Sequence, residues 1–352
     1  MNDNIFQPYF TITDRVRDLL GDVEQQDWLA SNMLLMPRHE AWIRRDVSIR
    51  RASATTRIEG ASLDETAVSD LIRKRPAGKP TEDERANINA IQAYEFIDYL
   101  SDQSDIPIDE LAIRQINREF MSGAVDTLTP GVYRKGANTV GNYHPPDQGD
   151  VPGLMRSFAL WLRQEDDLDP VVKAAIAHIH LVAIHPFWDG NGRTARGLAT
   201  LVLQRSPFDS KKLLSLESFM FEKRDEYFLA IEKTLGTQFR ADYNPTPWIE
   251  FFIRALSVHA RALISMLTRW HRMMDEAYKG FEQSGLNSRQ VDGFAYALQT
   301  GKISRAEYME TTGVSGGTAS RDLAGLVKAG VLIPEGKTRA RIYTPSRDEA
   351  ES

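Results

Sequence analysis

The sequence predicts a mainly α-helical chain, broken once by a small β-hairpin and ending in a winged helix-turn-helix. Three observations predict it. Apolar residues recur three and four apart in "AIQAYEFIDYL" and "VVKAAIAHIHLVAI", the period of an amphipathic helix. "LTPGVYRKGANTVGNYHPPDQGD" is instead rich in Gly, Pro, Asn and Asp, with short runs able to pair as a hairpin. "ISRAEYMETTGVSGGTASRDLAGLVKAGVLIPEGKTRARIYTP" reads helix, turn at Gly313, helix, strand, basic turn, strand.

In chain order, residues 1–82 form an N-terminal helical region, helical to about Lys74 and closed by the polar, proline-bearing connection "RKRPAGKPTEDER". Residues 83–245 form a central helical body. Residues 246–284 form one long connecting helix starting near Trp248, with Phe252, Leu256, Leu263 and Trp270 on one stripe. Residues 285–346 form the winged helix-turn-helix, and 347–352 a disordered tail.

Composition narrows the function classes. Hydrophobic residues are 42% and charged residues 26% of 352, which suits a globular chain with a large core. We expect no apolar run of transmembrane length, no leader and no membrane partner. The absence of cysteine excludes disulfides, thiolate metal sites and a thiol nucleophile, and fits a cytoplasmic protein. A net charge of −6 gives no global nucleic-acid signal. Locally, Lys302, Arg305, Arg321, Lys328, Lys337, Arg339 and Arg341 face Glu307, Glu310, Asp322 and Glu335, leaving that segment near +3. DNA phosphate contact and a protein-interaction role are both open for this module. The small side chains of "SGGTASRD" argue against strong base readout.

The chemistry concentrates in "HPFWDGNGRTAR", His185 to Arg196. A helix must end before Pro186, Asp189-Gly190-Asn191-Gly192 is a turn, and helical periodicity resumes at Ala195, Leu198 and Leu201. The motif is therefore a loop that opens a helix, where backbone N–H groups and the helix dipole favour an anion. Arg193 and Arg196 lie three apart and can point at that anion. Asp189 offers an oxygen to a hard cation such as Mg2+. His185 sits at the loop mouth and can take a proton near neutral pH. Singly each feature is commonplace; in this order they suit a polyphosphate attacked by a hydroxyl.

The order His185-Pro186-Phe187, Asp189-Gly190-Asn191-Gly192-Arg193, Arg196 resembles the complete H-P-F-x-D-G-N-G-R-x-x-R signature of Fic proteins. "PGVYRKGANTVGNYHPP" is similar to the segment before that signature, and "ESFMFEKRDEYFLAIEKT" to the helix after it. The resemblance implies a helical Fic core that transfers AMP from ATP, with Mg2+, to a hydroxyl side chain of a protein. His185 would then be the general base, with Asn191 also counted among the catalytic residues. Asp189 would hold the metal. Gly190, Asn191 and Gly192 would form the phosphate nest, with Arg193 near the β-phosphate and Arg196 near the γ-phosphate. Phe187 would pack and set the loop, and Tyr227 would line the nucleotide base or sit in the core. Val140, Gly141, Asn142 and Tyr143 would form the flap that clamps the target backbone.

Upstream, Thr55 to Gly60 ("TTRIEG") matches the inhibitory pattern [S/T]-x-x-x-E-[G/N] of that family. Thr55 and Glu59 fall i, i+4 on one helical face. Glu59 would pair with Arg196 and occupy the fork that the γ-phosphate needs. The same glutamate would serve as base for AMP removal in a deAMPylase. Transfer from another nucleotide such as UTP, and a DNA-binding regulator that uses the Fic core as a nucleotide sensor, are the other readings. Expected partners are ATP, a protein substrate (the chain itself included), a second copy in a homodimer, and DNA. His178 and His180 are read as packed or hydrogen-bonded helix residues.

Overall fold

The computed structural model of the chain describes residues 5–35, 37–74, 78–123, 129–164, 167–209, 211–336 and 341–346. Residues 75–77 of the polar connection, Lys337 and Arg339 of the expected wing, and the tail 347–352 lie outside them.

The chain divides into two compact units, Met1–Met33 with Ile43–Leu263, and Leu34–Trp42 with Ile264–Ser352. The first opens with α1 (Asp14–Asn32), capped by the Thr13 hydroxyl accepting from the Val16 N–H. Then come α2 (Pro37–Ile58), α3 (Glu65–Lys74) and α4 (Glu82–Asp102), the last held by a Thr81–Glu84 capping box. Next are α5 (Glu110–Met121), α6 (Val151–Leu162), α7 (Pro170–Ile184), α8 (Asn191–Arg205), α9 (Leu216–Glu222) and α10 (Arg224–Leu235). The core is built around α7, whose residues are buried on nearly every side, as a helix apolar all round requires. α8 packs against it, and Ile97 of α4 with Ile116 and Phe120 of α5 close over Gly197.

His178 and His180 serve that core. His178 stacks on Trp248 at 4.5 Å and its Nε2 meets the Tyr227 hydroxyl at 3.3 Å. His180 stacks on Phe6, and its Nδ1 lies 3.2 Å from the Tyr243 hydroxyl.

α11 (Thr246–Ser284) corrects one expectation. Its stretch Thr246–Arg272 is long and apolar enough, by length and composition, to cross a membrane. The apolarity has another use in this unit: Trp248, Ile249, Phe252, Ile253 and Leu256 are buried in the protein core.

The second unit contains α12 (Ser288–Thr300), β1 (Ile303–Ser304), α13 (Arg305–Thr312), α14 (Gly316–Lys328), β2 (Leu332–Glu335) and β3 (Ile342–Pro345). The strands form an antiparallel sheet in the order β1-β3-β2. Gly313 ends α13 in the left-handed conformation. Trp270, Phe294, Tyr308, Leu323 and Leu326 form its core. Leu35 and Trp42 pack into that cluster, Trp42 tilted on Tyr296 at 5.0 Å. Residues 34–42 therefore group with this unit and not with the N-terminal segment in which their sequence position puts them.

Candidate active site

α7 ends where Pro186 requires it to, and His185 takes the left-handed conformation at φ 49°. That conformation costs a non-glycine residue about 1 kcal/mol or more, so neighbours must impose it. The His185 carbonyl accepts from Arg134 Nε at 2.9 Å, and the Pro186 carbonyl accepts from the Arg134 N–H at 2.9 Å. Phe187 is buried against Tyr133. Asn191 fixes the other side of the loop. Its Oδ1 accepts from the Phe187 N–H and its Nδ2 donates to the Phe187 carbonyl, both at 2.9 Å. The Asn191 side chain is thus committed to loop shape, and what the residue offers a ligand is its place at the start of α8.

Two residues that the sequence did not single out complete this scaffold. Asn117 donates to the Asp189 carbonyl (3.0 Å) and to Thr194 Oγ1 (3.1 Å), and accepts from the Gly131 N–H (2.9 Å). Arg134 is the other. A lone asparagine among Ile113, Ile116 and Phe120 on an otherwise apolar stripe was a signal for the first; "PGVYRKG" carries none for the second. Gly190 stands at φ 76°, and a Cβ there would lie 2.7 Å from Met121 Sδ, so only glycine fits.

The first turn of α8 presents Gly192, Arg193 and Arg196 together. Arg196 is fully buried and every guanidinium nitrogen is used. Nε donates to Thr55 Oγ1 (2.9 Å), Nη2 to the Thr55 carbonyl (3.1 Å) and to Glu59 Oε1 (2.7 Å), and Nη1 to the Tyr227 hydroxyl (3.2 Å). Burial disfavours the Arg196 charge, but Tyr227 and Glu59 outweigh it and the group stays protonated. Glu59 remains 39% exposed, at the site mouth. Burial opposes its ionisation too, but Arg196 first, then Arg193 and His185, hold its carboxyl below the usual range.

Glu59 follows the end of α2, and Gly60 turns the chain at φ 104°. Thr55 and Glu59 meet the same guanidinium although Glu59 lies just past the helix. A Cβ on Gly192 would fall 2.5 Å from Glu59 Oε1, so the carboxylate rests directly on the first turn of α8. A carboxylate lies where helix N–H groups and two arginines favour an anion.

Burial pushes the His185 imidazole down to about 4; Arg134 adds to this, and the Val182 backbone, Glu59 and Asp189 oppose it. The ring is neutral near pH 7, the form that can accept a proton. Its Nδ1 is sealed from solvent. Asp189 is exposed, its Oδ1 accepting from the Gly190 N–H at 2.5 Å with Arg193 Nη2 at 3.7 Å. Among the described residues no group of three His, Cys, Asp or Glu side chains is placed to hold a metal. One exposed carboxylate beside an anion cradle fits Mg2+ held jointly with phosphates, the usual habit of that ion, and not a protein cage.

The segment expected to form the flap is smaller than a two-stranded hairpin. Val140 and Tyr143 exchange two backbone hydrogen bonds of 2.9 Å around Gly141 and Asn142, a single antiparallel bridge. Tyr143 anchors it by donating to the Ala183 carbonyl at 2.8 Å. His144 pairs its backbone with Thr237 and Phe239. Tyr227 lies in the core beside Trp248, its hydroxyl between Arg196 and His178.

Residues 107–203 match the Fic/DOC family. That stretch includes the His185–Arg196 loop and most of α8. Among the curated proteins it is similar to are the "Protein adenylyltransferase Fic" sequences of Drosophila sechellia and Drosophila melanogaster, each 35% identical over 156 residues. Those 156 residues are 43% of this chain and 31% of the fly proteins, so the chain matches about a third of its relatives' length. A Fic family protein from Desulfovibrio desulfuricans G20 shares the fold over 97% of this chain and 99% of its own, with TM-score 0.66 and 22% identity. A segment of Fic-1 from C. elegans overlaps 72% of this chain and 70% of its own, with TM-score 0.56 and 23% identity. The mainly helical Fic fold expected from the sequence is the one observed.

Proposed function

We propose that this chain is a self-inhibited protein adenylyltransferase, moving AMP from ATP to a protein hydroxyl. The observation that carries the reading is the Glu59 carboxylate seated on Arg196 and on the first turn of α8: the protein already uses this place as an anion site. The fly relatives' name supports the reaction type. In the reaction, the target hydroxyl oxygen bonds to the α-phosphorus and the bond from that phosphorus to the bridging oxygen breaks, releasing pyrophosphate. The hydroxyl proton passes to His185, whose ring burial keeps neutral and so able to accept it. Arg193, Arg196 and the N–H groups of the α8 first turn hold the polyphosphate and neutralise its charge, which is where most of the rate comes from in such transfers. Mg2+ held by Asp189 and the phosphates would supply further charge neutralisation. The Val140–Tyr143 bridge offers its edge to the target backbone.

Glu59 must leave Arg196 before a γ-phosphate can take its fork, so the wild-type chain is braked. Intact mass after incubation with ATP and Mg2+ tests this on wild type, Glu59→Gly, and Glu59→Gly with His185→Ala. We expect an AMP adduct on the single mutant, about tenfold or more above wild type and absent from the double mutant. An adduct that persists without His185 sinks its role as base. Equal adducts on wild type and Glu59→Gly sink the brake. No adduct on any sample rejects self-transfer and turns the reading toward AMP removal with Glu59 as base.

A further inference from the structure

Arg134 is almost wholly buried, and among the described residues no ion pair of 4 Å or less is seen for it, although Asp147 favours its charge from farther off. Its guanidinium instead serves three backbone carbonyls from three places. Nε donates to His185 (2.9 Å), Nη1 to Gly136 (3.0 Å) and Nη2 to Pro146. Its own N–H donates to the Pro186 carbonyl at 2.9 Å. Gly136 and Pro146 flank the Val140–Tyr143 bridge, one on each side. One side chain therefore closes the base of the flap and grips the residue whose strained backbone aims the imidazole. A buried cation facing neutral acceptors is costly to keep, and only a planar fork with five donors reaches three segments at once. Tyr143 makes a second tie, to the Ala183 carbonyl in the last turn of α7.

We propose that Arg134 is a positioning residue that locks the flap to the His185 loop, so that the bridge receiving the target and the base acting on it keep one geometry. The proposal rests on the adenylyltransferase reading for its catalytic consequence and on these hydrogen bonds for its structural one. Misplacing a reacting group by about 1 Å costs up to about a hundredfold in rate. Substrate phosphates bind elsewhere, at α8, so nucleotide affinity should not follow.

The test uses the full chain carrying Glu59→Gly, alone or with Arg134→Lys or Arg134→Met. ATP with Mg2+ is the probe, the AMP adduct on the chain is read by intact mass, and amide exchange is followed on the same samples. In Arg134→Met the rate at saturating ATP should fall about tenfold or more, while the ATP concentration for half-maximal rate moves less than about twofold. Arg134→Lys, which keeps the charge and some donors, should recover part of the rate. Exchange at the Val140 and Tyr143 amides should speed up about tenfold or more, with Thr194 in α8 unchanged. Unchanged rate and flap exchange overturn the proposal. So does a half-saturating ATP concentration that rises in step with the loss of rate while exchange spreads into α8, the pattern of a general loss of fold. If the Glu59→Gly parent takes no adduct, self-transfer fails but the clamp is still decided: faster exchange at Val140 and Tyr143 supports it, and unchanged exchange refutes it.

Discussion

At the scale of single residues, polar side chains in and around the candidate active-site loop are spent on holding its shape. Asn117 shows this most plainly, with one amide serving Asp189, Thr194 and Gly131. Asn117→Ala should leave those groups unpaired and cost about 1–3 kcal/mol, visible as a lower melting temperature, whereas an unchanged value would mean water replaces the amide. Gly192→Ala places a methyl group against Glu59 Oε1 and Arg196 Nη1. It should displace the glutamate yet block phosphates from the same turn, so ATP affinity measured by calorimetry falls and no adduct appears. An active Gly192→Ala chain would show that the first turn of α8 is not the phosphate cradle.

At the scale of elements, α8 does two jobs with opposite demands. On the proposed function its N-terminus must accept an anion, the Glu59 carboxylate or a phosphate, while its body must lie close to α4 and α5. Gly197 permits the second: a Cβ there would fall 2.8 Å from Ile97 Cδ1 and 2.9 Å from Phe120 Cε2. Gly197→Ala should therefore destabilise the chain by about 1–3 kcal/mol in a denaturant titration, despite alanine's better helix propensity. A stabilised Gly197→Ala would mean that the α4–α5 pair gives way easily. The inhibitory segment belongs to the same scale. α2 delivers Thr55 from its last turn and Glu59 from the turn beyond, so the proposed brake would be as firm as the docking of α2 on Arg196.

At the scale of the whole molecule, buried titratable groups set the response to acid. Burial pushes His180 to about 3, His185 and His259 to about 4, and His178 well below its usual value. Unfolded histidines titrate near 6.5. As pH falls from about 6.5 towards 4, the unfolded chain therefore binds more protons at these four sites and stability drops. Asp209, raised by burial to about 7, works the other way: the folded chain holds its proton first, which adds stability as pH falls from about 7. Four groups against one should make melting temperature decline between pH 6.5 and 4.5, more steeply in Asp209→Asn. A flat profile in both would show that these histidines stay solvated.

Much of this protein was legible in order along the chain. The proline after His185, the Asp-Gly-Asn-Gly turn and the resumed apolar period place the loop and the start of α8, because each acts through local backbone sterics. The pairing of Glu59 with Arg196 was also readable, through a pattern that links residues 137 apart in sequence. Tertiary structure alone decided the rest. Arg134 and Asn117 gained their roles because distant backbone carbonyls happen to converge on them, and no spacing within one segment encodes that convergence. The same holds for residues 34–42, whose Leu35 and Trp42 joined a core formed some 250 residues later. Local sequence determines where helices start, stop and offer charge; which buried polar group answers which carbonyl is settled only when the elements pack.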